Sequence, residues 1–173
     1  LTTGTMAALS TAQVAAIETT DIQALSTKQL AGLATGTVSA LTTDQVIALT
    51  TYQVGNLSTA TLKALSSDQI AAIETTDIQA LSTGQLAGLV SSTVSALTTD
   101  QVIALTTYQV SNLSTATLKA LSTGQLVAIE TTDIQALKTS QLATLATSTV
   151  AALSTDQIQA LLRPGGDQHL RRV

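Results

Sequence analysis

Residues 41–48 read LTTDQVIA, and the segments LSTAQVAA (9–16), LSTKQLAG (25–32) and LSTDQIQA (153–160) repeat the same pattern. Cut from Leu1, the chain falls into twenty such octads without an insertion, ending at Ala160. Their consensus is L-[ST]-T-x-Q-[VIL]-x-A. Position one is Leu or Ile in all twenty, and position three is Thr or Ser in all twenty. Position six is always Val, Ile, Leu or Met, and position eight is Ala in fifteen.

An octad cannot continue as one regular element. A continuous α-helix turns about 100° per residue, so eight residues overshoot two turns by about 80°. The leucines would then spiral around the helix and form no apolar stripe. In a continuous strand, positions one and six have opposite parity and would face opposite sides. The chain must therefore turn within each octad. Ser/Thr-Thr-x-Gln ahead of an apolar residue is a helix-start signature. A hydroxyl caps backbone N–H groups, and the Gln side chain reaches back to complete a capping box. Leu at position one and the aliphatic at position six suit a hydrophobic staple. Position two is Ser or Thr in thirteen octads and lapses at Glu18, Ala34, Val90 and Lys138, among others, whereas position three never lapses. Both positions stay open as the cap.

Each octad thus reads as one helical turn of about five residues, too short to stand alone. Its two large aliphatics contribute roughly 1.5–3 kcal/mol each when buried. Ordering eight residues costs roughly 8–16 kcal/mol in backbone entropy. The units must stack on one another, with the small residue at position eight allowing close approach. The expected fold is an all-α solenoid over residues 1–160, with 161–173 as a C-terminal cap or tail. A β-solenoid with Thr-rich rungs is the rival.

A second period overlies the first. IETTDIQA recurs at 17–24, 73–80 and 129–136, which is every seventh octad. Position five changes from Gln to Thr at Thr5, Thr37, Thr61, Thr93, Thr117 and Thr149, at alternating spacings of 32 and 24. A swap that averages three and a half octads suggests a superhelix of stacked units with about 28 residues per turn. Duplication of a seven-octad block accounts for the longer period but not for its unequal division.

Composition narrows the function. Among 173 residues there is no Cys, Trp or Phe, one His, and only 10% charged residues, with a net charge of −4. These values exclude the usual zinc sites, disulfide frameworks and thiol catalysis, and they argue against a nucleic-acid surface. No apolar run approaches the roughly 18 residues of a membrane span, and no stretch of the sequence given is expected to act as a signal peptide. The lone His169 lies outside the repeats, so no Ser or Thr has a positioned base. No catalytic, cofactor-binding or metal site is assigned, and the chain is expected not to be an enzyme.

The remaining candidates are surface features. Glu18 with Asp21 has the chemistry of a hard-cation site, but the charges are expected to form solvated ladders, with carboxylates favoured near helix N-termini. These ladders run through Glu18, Glu74 and Glu130; Asp21, Asp77 and Asp133; Asp44, Asp100 and Asp156; and Lys63 and Lys119. Tyr52 and Tyr108, at the variable fourth position, are expected to be exposed, either packing on an adjacent turn or anchoring a partner. Hydroxyl rows could match ice or carbohydrate, although capping already occupies them. Asn56-Leu57-Ser58 and Asn112-Leu113-Ser114 match a glycosylation pattern that arises easily in a Ser-rich repeat. Leu1 begins in register without Met, so the chain is expected to be processed or cut from a longer array.

The octads resemble the tandem tracts of very large bacterial secreted or surface proteins, adhesin-like or RTX-like, over residues 1–160. The resemblance implies an extracellular or cell-surface structural role: a stalk, spacer or filament subunit. An adhesin-type module recognising a protein or glycan is the alternative. Head-to-tail contact with a second copy fits an open array. The Gly/Asp-rich calcium nonapeptides of true RTX repeats are absent, so their calcium chemistry is not implied. LTTDQVIAL is also similar to the start of the first helix in TAL-effector repeats, without their basic loops, and DNA binding is not implied.

Overall fold

A computed structural model describes residues 2–33 and 35–162. Each octad forms one short helix. In chain order these are α1 (Thr3–Ala7), α2 (Thr11–Ala15), α3 (Thr19–Ala24), α4 (Thr27–Ala31), α5 (Thr35–Val38), α6 (Thr43–Ile47) and α7 (Thr51–Gly55). The second stretch holds α8 (Thr59–Ala64), α9 (Ser67–Ala71), α10 (Thr75–Ala80), α11 (Thr83–Ala87), α12 (Ser91–Ser95), α13 (Thr99–Ile103) and α14 (Thr107–Ser111). The last is α15 (Thr115–Ala120), α16 (Thr123–Val127), α17 (Thr131–Gln135), α18 (Thr139–Leu142), α19 (Thr147–Ala152) and α20 (Thr155–Leu162). No strand occurs among the described residues, which removes the β-solenoid.

The local start is the capping box. The backbone N–H of Ser66 donates to Gln69 Oε1 at 2.7 Å, and the N–H of Gln69 donates to Ser66 Oγ at 3.2 Å. The same reciprocal pair recurs from Ser10 and Gln13 to Ser154 and Gln157. The cap is therefore the residue at position two, and the Thr or Ser at position three is the first helical residue. Where position two is Glu, Val or Ala, as at Glu74, Val90 and Ala146, the helix starts without a side-chain cap.

Termination needs no glycine. After one turn the N–H of Leu49 bonds the carbonyl of Val46 at 3.1 Å, and Thr50 is then extended at φ −75°, ψ 154°. No described residue has positive φ. Extended residues between helices re-aim the chain, so the repeats need neither Pro nor a left-handed Gly to turn.

Stacking follows a turn of three and a half octads. Helix α1 packs on α4, α7 on α10 and α17 on α20, while α11 also reaches α15. Side-chain hydrogen bonds across the seam span 28 and 31 residues. This makes the seven-octad block two superhelical turns. The described residues make about six turns.

The two central positions of each octad face opposite ways along the axis. Position six is buried from Met6 through Ile134, but Val150 in the last turn is 42% exposed. Position five shows the reverse: Gln13 and Asp21 in the first turn are exposed, and every occupant from Gln45 to Gln157 is buried. Position six is thus covered by the following turn and position five by the preceding one. Position one, as at Leu41, Ile73 and Leu121, completes the apolar interior.

Close approach constrains position eight at some seams. A Cβ on Gly32 would lie 2.8 Å from the carbonyl oxygen of Thr3, and one on Gly88 would lie 2.8 Å from Thr59 Cγ2. Position three of one turn meets position eight of the next at both places.

Candidate functional site

The most elaborate chemistry lies in the seam between turns. The Gln at position five uses both ends of its amide. Gln45 Oε1 accepts the N–H of Thr42 at 2.9 Å, while Nε2 donates to the carbonyls of Ile17 at 2.7 Å and Val14 at 2.9 Å. Gln53, Gln69, Gln85, Gln101, Gln109, Gln125, Gln141 and Gln157 cross the seam in the same way. The carbonyl of position one lies between helices, where no intrahelical donor reaches it. A buried carbonyl without a donor costs about 1–3 kcal/mol, and the glutamine of the next turn supplies that donor.

Where a serine caps the helix, threonine at the same position closes only the local half, as at Thr61 and Thr117. Thr61 and Ser58 share a hydroxyl–hydroxyl bond of 2.8 Å, and Thr117 and Ser114 one of 2.7 Å. The shorter side chain leaves room at one such seam. A notch of about 280 Å³ at Thr149 is lined by Leu118, Lys119, Leu121, Ser122 and Ser148, among others.

The acidic ladders need correction. Glu18, Glu74 and Glu130 are exposed, as are Asp44, Asp100 and Asp156. Asp77 and Asp133, however, are only 2% and 6% exposed. They stand at position five, which the preceding turn covers. Asp133 accepts a hydrogen bond of 2.5 Å from the hydroxyl of Thr107. Asp21 is exposed because no described turn precedes it. Glu18 and Asp21 line a concavity of about 480 Å³ together with Ile17, Leu25 and Gln29. No group of three or more His, Cys, Asp or Glu that could hold a metal ion occurs among the described residues.

Tyr52 and Tyr108 are 73% and 71% exposed, so neither packs substantially on an adjacent turn. Below each, an asparagine amide donates to the tyrosine carbonyl: Asn56 to Tyr52 and Asn112 to Tyr108, both at 2.8 Å. The glycosylation-like serines, Ser58 and Ser114, serve as helix caps. His169 and the rest of 163–173 lie outside the described residues. No described helix is long and apolar enough to cross a membrane.

The seam glutamine could have been anticipated only in part. Its capping role is written in S/T-x-x-Q, but its second partner lies one superhelical turn earlier and is a backbone atom, which no side-chain pattern marks.

A comparison with curated proteins gives no match. The family of the ALTTAQ repeat matches at residues 14–51, 70–107 and 126–162. The three segments start seven octads apart, in step with the two-turn block. ALTTAQ itself spells position eight followed by the helix start, Leu-Thr-Thr-x-Gln, whose Gln makes both the cap and the seam. The chain is a structural repeat protein, and it belongs to the ALTTAQ repeat family.

Proposed function

We propose that the chain is a length-setting spacer, a rod segment of a bacterial secreted or cell-surface protein with no catalytic activity of its own. The observation that carries this reading is the recurring seam. Each glutamine bond from Gln45 to Gln157 spans the same 28 residues, and the whole pattern of glutamine, threonine and aspartate joints repeats every seven octads, so adding two-turn blocks lengthens the rod without introducing a new kind of joint. Repeat arrays held by nearest-neighbour contacts behave in this additive way. The resemblance of the octads to tracts of large secreted or surface proteins supports the location. The uncovered positions five and six at the two ends of the described rod offer any further turn a template, whether from the same chain or from a second copy joined head to tail.

Deleting one seven-octad block, residues 57–112, tests the reading. Two helix layers pack about 8–10 Å apart, so small-angle scattering should show a rod shortened by about 16–20 Å, with helicity per residue unchanged. A collapsed particle or lost helicity would sink the spacer. Protease shaving of intact source cells tests the location: a chain that survives shaving but is cut after lysis is not at the surface.

A binding module is the second reading, favoured by the paired exposed tyrosines. Mutating Tyr52 and Tyr108 to Ser would then abolish adhesion of beads coated with the protein to cells, which the spacer reading leaves unchanged.

A further inference from the structure

The length of the superhelical turn allows every surface residue to be placed around the rod by its number modulo 28. On that count all ten acidic residues of 1–160 fall between registers 12 and 21. All four lysines of the same span fall between 26 and 7, counted through zero. The two arcs have equal width, and their centres lie half a turn apart. The rod has an acidic flank and, directly opposite, a basic one.

Block duplication preserves register but does not create this separation. Asp68 at register 12, Lys28 at 0 and Lys138 at 26 have no charged counterpart two turns away, where Ala12, Gly124, Gly84 and Ser82 stand. All three nevertheless fall on the side of their own sign. The lysines are exposed, and so are the acidic residues apart from Asp77 and Asp133. Tyr52 and Tyr108, at register 24, sit at the edge of the basic flank and are more than 70% exposed.

We infer that the rod associates laterally with a second copy of itself, the acidic flank of one against the lysine and tyrosine flank of the next. The inference rests on the rod reading above. Three features point to a second copy as the occupant. Both signs are on one molecule, in opposed positions. Both flanks repeat every two turns, so a parallel neighbour that seats Lys63 on Glu74 also seats Lys119 on Glu130. The members of each pair are eleven positions apart in number, about 4 Å in height at one helix layer per turn, so the two rods lie almost level. The contact uses different surfaces on the two partners and does not close on itself, so it continues into a raft. Complementary potentials of this kind govern register and encounter more than raw affinity.

The experiment is sedimentation velocity of the whole chain at about 10 mM and about 0.5 M salt, where the screening length falls from roughly 30 Å to a few ångströms. The wild type should form larger species at low salt and be monomeric at high salt. The exposed quadruple variant Lys28→Glu, Lys63→Glu, Lys119→Glu, Lys138→Glu should weaken association roughly tenfold or more. A second variant, Glu74→Lys with Asp100→Lys and Glu130→Lys, should be equally weak alone, and mixing the two should restore large species. Circular dichroism of each variant checks that the fold is intact. Wild type that stays monomeric at low salt, association that survives charge reversal (the mark of end-to-end contact), or mixing that restores nothing overturns the inference. Rod-shaped monomers that fail to associate remove this inference alone, whereas collapsed particles in scattering remove the spacer reading.

Discussion

Gln45 donates its side-chain amide to the carbonyl of Ile17, 28 residues and one full superhelical turn earlier, at 2.7 Å. The other end of the same amide holds the N–H of Thr42 and so starts the helix in which Gln45 sits. One residue type joins helix initiation to stacking, and this explains why a helix of five residues persists. It is nucleated by its cap and held by the turn beneath it, so neither contact has to overcome the ordering entropy alone.

The first prediction removes both functions at one seam. Gln101→Met conserves length but strands the N–H of Thr98 and the carbonyl of Ile73, which Gln101 now pairs at 2.9 and 2.7 Å. Each unpaired buried group costs about 1–3 kcal/mol, so urea denaturation should show a loss of about 2–6 kcal/mol. In a linear array the damage should concentrate near the broken seam. Hydrogen exchange should speed up first in α13 and its neighbours. A loss below about 0.5 kcal/mol would mean that the seam bonds merely accompany packing.

The converse substitution should stabilise. Asp77 is buried at the same register, yet a carboxylate is an acceptor and cannot donate to the carbonyl of Leu49, which lies one turn earlier and receives no glutamine. Asp77→Gln supplies both the missing donor and the backbone half of the box at Glu74. The expected gain is about 0.5–1.5 kcal/mol for the added hydrogen bonds, or roughly 1–6 °C in Tm for a chain of this size. Calorimetry showing a lower Tm would mean that Asp77 has a partner the seam argument overlooks.

These two cases mark how far the sequence could be read. The helix start was legible because the cap and its Gln are three positions apart, and the superhelical turn was legible from the spacing of Thr5, Thr37 and Thr61. The burial of Asp77 was not. In IETTDIQA the aspartate reads as a first-turn acid facing water, and only the turn before it, far away in number, covers it. The second bond of Gln45 was hidden for the same reason: its acceptors are main-chain oxygens, identical in every residue type. The opposed charge flanks needed the turn length before register could be assigned.

Glycines at different registers should respond with opposite sign. Gly88→Ala places a Cβ 2.8 Å from Thr59 Cγ2 and 3.3 Å from Thr59 Cβ, a clash between turns that forces Thr59 or the seam to shift. Overpacking of this kind costs about 1–3 kcal/mol. Gly124→Ala lies inside α16 with its nearest such neighbour 3.9 Å away at Ser122 Oγ, in a helical conformation. It should gain about 0.4–1 kcal/mol through helix propensity and a less flexible unfolded chain. Thermal melts of the two single variants should therefore move in opposite directions. Matching shifts would mean that the seam at Gly88 yields more easily than its geometry indicates.

Val90 offers the test of the cap alone. It occupies the N-cap of α12 in an extended conformation, φ −86° and ψ 160°, makes no side-chain cap bond and leaves 41% of its surface in water. Thr106, at the equivalent site of α14, has nearly the same ψ and accepts the N–H of Gln109 at 3.2 Å. The backbone at Val90 is already set for a hydroxyl, so Val90→Ser needs no rearrangement. A hydroxyl cap is worth about 1 kcal/mol, and the buried part of the valine side chain offsets some of it, so stability should rise by roughly 0.5 kcal/mol. Ser66→Ala, which removes an existing cap, should lower stability by about 1 kcal/mol. If the two substitutions do not differ in sign by urea denaturation, capping does not limit this array, and stability rests on the seams.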